Sequence, residues 1–187
     1  MLMETIRFTR GFTLIELLVL VVVLGIVAAM AVPNFSATIK NSRDVSQVNA
    51  LVTGFTTARS AAVKNGSSQV KICAGTTTAC GGATWAVGWV VFYVTPPPGA
   101  ATVIRAFPAI SGNNTFTSNG GYSFTFNPNG LPYSLTNTPP ATATVFTLCD
   151  GRGPSYGRSL TLLPTGSLQA SQRTGYQVNG TTAIASC

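Results

Sequence analysis

The chain has 187 residues, 45% of them hydrophobic and 8% charged, with 19 glycines and 11 prolines, a composition that suits one loop-rich domain carrying an apolar extension. Eleven basic residues stand against four acidic ones, and the net charge of +7 reflects the scarcity of acids more than any basic run, so composition gives little reason to expect a polyanion. Histidine is absent and Asp44 and Asp150, the acids beyond Glu4 and Glu16, are expected to lie far apart, which leaves no general base, no paired-carboxylate site and no metal cage; neither catalysis, a metal nor a cofactor is expected.

In chain order the first element is an apolar run. Phe12 to Val32 is 21 residues with one charge, about 32 Å as a helix and enough to cross a bilayer. Arg7 and Arg10 precede it, so the positive-inside rule leaves the N-terminus in the cytoplasm and sends the chain beyond Val32 outward. Glu16 interrupts the run, at a cost of roughly 2.5 to 3.5 kcal/mol for a charge at the centre of a membrane helix. A secretory signal peptide would explain Ala29-Met30-Ala31 as a cleavage site, but its apolar region is shorter and carries no glutamate. A plain anchor explains the length and leaves Glu16 without a purpose.

The stretch Gly11 to Glu16, GFTLIE, resembles the prepilin signature of type IV pilins and type II secretion pseudopilins. The resemblance implies that a prepilin peptidase cuts between Gly11 and Phe12 and methylates the new amine of Phe12. Glu16 would then meet the N-terminal amine of a neighbouring subunit in the filament core, which offsets its burial. Gly25 and Pro33 also match positions where pilins weaken their helix. The implied division is a leader at residues 1–11, a transmembrane and filament-core helix at 12–33, an amphipathic second half at 34–66 and a globular domain at 67–187.

After Pro33 polarity rises. Val45, Val48, Val52, Phe55, Ala58 and Ala62 recur every three or four residues, one apolar stripe for core packing, with Lys40, Arg43, Asp44, Asn49 and Lys64 mostly off it. One helix from Phe12 to Lys64 is expected, stopped at Asn65-Gly66.

From Ser67 onward short β-branched and aromatic runs predict strands at Gln69–Cys73, Gly88–Val94, Ala101–Arg105, Tyr122–Phe126, Thr144–Cys149, Arg158–Leu163 and Ser167–Ala170. Turns fall at Pro96-Pro97-Pro98-Gly99, Gly112-Asn113-Asn114, Asn127-Pro128-Asn129-Gly130 and Pro139-Pro140. The fold class is α+β, a long N-terminal helix packed on a mainly antiparallel sheet. Cys73, Cys80, Cys149 and Cys187 all lie beyond the apolar segment, and an even number in an oxidising compartment implies two disulfides. Three connectivities are open. The sequential one closes a short loop worth about 2.5 kcal/mol and a longer one worth about 4 kcal/mol.

Two further stretches, CAGTTTACGGATWAVGWVVF from Cys73 to Phe92 and LCDGRGPSYGRSLTLLPTG from Leu148 to Gly166, resemble the GspH/FimT group and within it FimU-like minor pilins. The resemblance implies a minor pilin that helps start a type IV pilus near its tip. Its partners would be other minor pilins, the major pilin and a tip adhesin of the PilY type. The subunit would begin in the inner membrane of a Gram-negative bacterium with a periplasmic domain, then pass into the extracellular pilus. A second reading is DNA capture, as in FimT-like pilins, through Arg152, Arg158 and Arg173, with Tyr156 stacking on a base. The glycine-arginine-x-arginine motif of those pilins is replaced after Gly166 by Ser167-Leu168-Gln169, and the bland alternative is a solvated basic face. A third reading is a GspH-type pseudopilin of a type II secretion filament. Trp85 and Trp89 are expected to pack in the core rather than stack on a ligand.

Overall fold

The computed structural model describes residues 11–66, 69–76, 80–94, 101–133 and 142–187. Residues 1–10 of the expected leader and the expected turns at Pro96–Gly99 and Pro139-Pro140 lie outside the described residues. The chain divides into two compact units, Met1–Asn41 and Ser42–Cys187, and the helix α1, Leu14–Asn65, contributes to each.

In the first unit α1 is bare. Every side chain from Phe12 to Met30 is exposed, and the helix is long and apolar enough to cross a membrane. So many valines and isoleucines make an indifferent helix in water. In a bilayer, where backbone groups have no other partner, a helix is the conformation such a run must take. α1 runs unbroken through Gly25 and Pro33.

In the second unit the same helix is amphipathic. Asp44, Gln47, Val48, Leu51, Phe55, Ala58 and Ala62 are buried, a stripe at spacings of three and four. It differs from the expected stripe at several places. Leu51 holds the core position, Val52 is half-buried, and Val45 is 39% exposed. Asp44, expected off the stripe, is on it. Gly54 lets the sheet approach: a Cβ there would sit 2.7 Å from Nε1 of Trp89. The helix stops where Gly66 turns left-handed at φ +62° and donates its N–H to Ala62 O.

Nine strands come next, β1 Gln69–Ala74, β2 Trp89–Val94, β3 Thr102–Phe107, β4 Thr115–Ser118, β5 Ser123–Phe126, β6 Pro132–Tyr133, β7 Thr144–Cys149, β8 Arg158–Leu162 and β9 Leu168–Ala170. They form two antiparallel sheets among the described residues, one in the order β3-β2-β1-β5-β6 and one in the order β4-β7-β8-β9. Both sheets share one core. Phe55 of α1 has its ring 5.6 Å from Phe124 of the first sheet and 5.2 Å from Phe146 of the second, with Trp85 at 5.7 Å. Truncating Phe55 to alanine would cost about 3–5 kcal/mol. Both tryptophans are buried in this core, and Nε1 of Trp85 donates to Gly121 O at 3.1 Å. Cys73 is joined to Cys80 and Cys149 to Cys187, the sequential connectivity.

Candidate functional site

Thr13 and Glu16 close the start of α1 on each other. Glu16 N–H donates to Thr13 Oγ1, while Thr13 N–H and Oγ1 donate to Glu16 Oε2, each at 3.3 Å. This is a capping box, which satisfies two orphan backbone donors of the first turn and places a carboxylate where the helix dipole favours it. Its sequence signal, Thr13-Leu14-Ile15-Glu16, was readable but lay hidden inside the signature. Gly11 and Phe12 precede the helix and are exposed, Phe12 at 76%. The Gly11–Phe12 bond, where the sequence leads one to expect cleavage, thus lies in non-helical chain just before the capped helix start.

The three arginines singled out for DNA have different surroundings. Arg152 Nε donates to Asp150 Oδ2 at 2.6 Å, and Arg152 Nη2 lies 3.3 Å from Asp44 Oδ2. Its side chain is 14% exposed. Asp44 and Asp150, expected far apart, are brought together around one guanidinium, because the middle of α1 and the β7–β8 loop meet there. Asn114 adds donors to Asp44 Oδ1 at 2.8 Å and to Gln47 Oε1 at 2.7 Å, and Gln47 donates to Ser111 O at 2.8 Å. Burial pushes the Asp44 carboxyl above the ordinary carboxylate range, against the Asn114 hydrogen bond. Burial also acts to raise Asp150, but the backbone N–H, side chain and charge of Arg152 prevail and hold it below that range. Arg152 also lies over Tyr156, 4.4 Å from the ring centroid, so one face of that ring is already covered.

Arg158 is half-buried in β8, with a buried Nε that has no hydrogen-bond partner among the described residues. Arg173 is exposed and rests 4.1 Å over the ring of Tyr176. The segment of Arg173 lies beside that of Arg158, since Gly175 N–H donates to Gly157 O and Ser159 Oγ to Tyr176 O. Arg158 and Arg173 therefore share a neighbourhood, the first half-buried and the second exposed, while Arg152 is neutralised inside the fold.

Bare apolar helix, capped start and helix-backed antiparallel sheets together define a pilin-type fold. Residues 47–166 match the family described as Type II transport protein GspH, and the chain belongs to that family. Residues 6–32 match the prokaryotic N-terminal methylation motif. Among solved structures, two crystal forms of the type IV minor pilin FimU of Pseudomonas aeruginosa strain PAO1 are similar. One is 21% identical with a TM-score of 0.59, covering 79% of this chain and 97% of that one. The other is 22% identical with a TM-score of 0.56, covering 76% and 98%. At this identity the likeness concerns the fold. The comparison with curated proteins gave no match.

Proposed function

We propose that the chain is a minor type IV pilin that primes or supports pilus assembly near the filament tip. In this reading residues 1–11 are a leader, prepilin peptidase cleaves between Gly11 and Phe12 and methylates Phe12, and residues 12–33 hold the subunit in the inner membrane until it enters the filament. The observation that carries the reading is the match to the methylation motif on a bare apolar helix whose start is capped by Glu16. The globular domain then faces the periplasm, where paired cysteines persist. Other minor pilins, the major pilin and a tip adhesin of the PilY type are the partners.

The family description favours a second reading, a GspH-type pseudopilin of a type II secretion filament. DNA capture is a third, and with Arg152 spent on two aspartates it rests on Arg158 and Arg173. Deleting the gene and measuring surface pili, secreted protein and transformation in the same strain separates them. Loss of pili that a plasmid copy restores supports the assembly role. Normal pili with lost secretion support the pseudopilin, and lost transformation alone supports DNA capture.

A further inference from the structure

Residues 42–187 contain two carboxylate side chains, Asp44 and Asp150. Both are buried against Arg152. The surface of this unit therefore offers a partner cationic side chains and no acidic one. Three of those cations border a single flank. Arg43 lines a cleft of about 290 Å³ that also involves Ala50 of the helix and the rings of Trp89 and Phe107. Arg105 lies over the Phe107 ring at 4.8 Å. Lys64 lines a second cleft of about 410 Å³ with Ser60 and Tyr93. β2 runs from Trp89 at the first cleft to Tyr93 at the second, so the two clefts lie along one strand.

β3 is the outermost strand on that flank. It pairs with β2 on one side, and among the described residues no strand pairs with its other side. Thr102, Val103, Arg105 and Ala106 are exposed, Val103 at 48%. Natural edges are usually blunted by shortness, proline or inward charge. This one is six residues long and carries no proline; its pairing with β2 shifts register between Val91 and Phe92, and it has one charge, Arg105, of the same sign as its surroundings.

We propose that this flank docks an extended, carboxylate-bearing segment of a neighbouring filament subunit, which adds a strand to β3 while its acidic side chains meet Arg105, Arg43 and Lys64. Backbone pairing supplies affinity, and the acid-free surface selects the partner. A second copy of this chain is a poor donor, because its own globular surface has no carboxylate side chain to offer. A nucleic acid matches the charge but has no peptide backbone to pair with a strand edge. The proposal rests on the filament role.

The test places the photoreactive residue benzoylphenylalanine at Val103, and separately at Ala106, in the full-length chain in its own host. Surface filaments are irradiated, sheared and analysed by mass spectrometry. The expected result is an adduct with an acidic segment of a different pilin subunit, at both positions. Arg105→Glu combined with Lys64→Glu should lower its yield about tenfold, whereas Arg173→Glu should leave it unchanged. Filaments that contain the probe-bearing chain but give no adduct, or an adduct with the same chain or with nucleic acid, overturn the docking proposal. Absence of the native chain from the filaments overturns the filament role, and the docking proposal with it.

Discussion

Replacing Arg152 by alanine should destabilise the globular unit far more than any other arginine change. The guanidinium bridges Asp44 and Asp150, which are 2% and 7% exposed, at 3.3 and 2.6 Å. Removing it leaves two like charges buried together with two compensating donors, Asn114 Nδ2 on Asp44 and the backbone N–H of residue 152 on Asp150 Oδ1. Breaking a buried ion pair in this way costs about 3–5 kcal/mol, a Tm drop on the order of 10 °C for a unit of this size. The assay is near-ultraviolet circular dichroism of the detergent-solubilised chain during heating, which reads the packing of Trp85 and Trp89. Arg173→Ala, at an exposed site, should change stability by no more than about 0.5 kcal/mol. Adding Asp44→Asn to Arg152→Ala removes one of the stranded charges and should recover part of the loss. An Arg152→Ala protein that melts with the native one would mean that the aspartates reach water without the arginine, and the clamp would have no energetic content.

Gly166→Ala meets both a φ of +78° and the carbonyl of Gly130, 2.3 Å from the new Cβ; a loss of about 2 kcal/mol or more is expected in the same melt. Serine at both Cys149 and Cys187, which are 38 residues apart, should cost about 4 kcal/mol by the chain-entropy estimate, and an unchanged Tm would show that the bridge does not form. The pH profile has two opposed arms. The raised carboxyl of Asp44 stabilises the fold in acid and loses that contribution as pH rises through its folded pKa, while the lowered carboxyl of Asp150 contributes above about pH 4 and loses that as pH falls. Asp44→Asn should therefore abolish any gain in Tm as pH falls from neutral toward about 4 and keep the loss below about pH 4; an unchanged gain would exclude Asp44 as its source. Glu16→Ala should leave the chain in the membrane, fray the first turn by about 1 kcal/mol through loss of the capping box, and reduce its abundance in filaments; undiminished incorporation would separate Glu16 from assembly.

The helix and most strands were legible because they rest on local signals. The apolar run, the three-four spacing and the Asn65-Gly66 stop foretell α1 to within two residues at its start and one at its end. Seven strands emerge from β-branched runs between turns. β4 and β6 were missed for a local reason. Thr115–Ser118 is a four-residue segment between polar Gly-Asn turns, and Pro132–Tyr133 is two residues long. Pairing to β7 and β5 makes them strands, and pairing is not a local property. The same distinction applies to the side chains. GFTLIE carries the proposed peptidase and assembly residues in one continuous string. The Asp44–Arg152–Asp150 cluster joins positions more than a hundred residues apart, and a carboxylate on a helix reads as exposed until its distant partner is known. Arg152 consequently reads from sequence as a free cation and is one of the most engaged side chains in the fold.

The central claim is that this chain matures at Phe12 and enters a filament through its bare helix. Intact-mass analysis of the chain recovered from sheared surface filaments tests it most directly. The account predicts a species beginning at Phe12, carrying one added methyl group on its amine and two disulfides. A full-length chain still bearing residues 1–11, or its absence from filaments of a strain that makes it, would contradict the account.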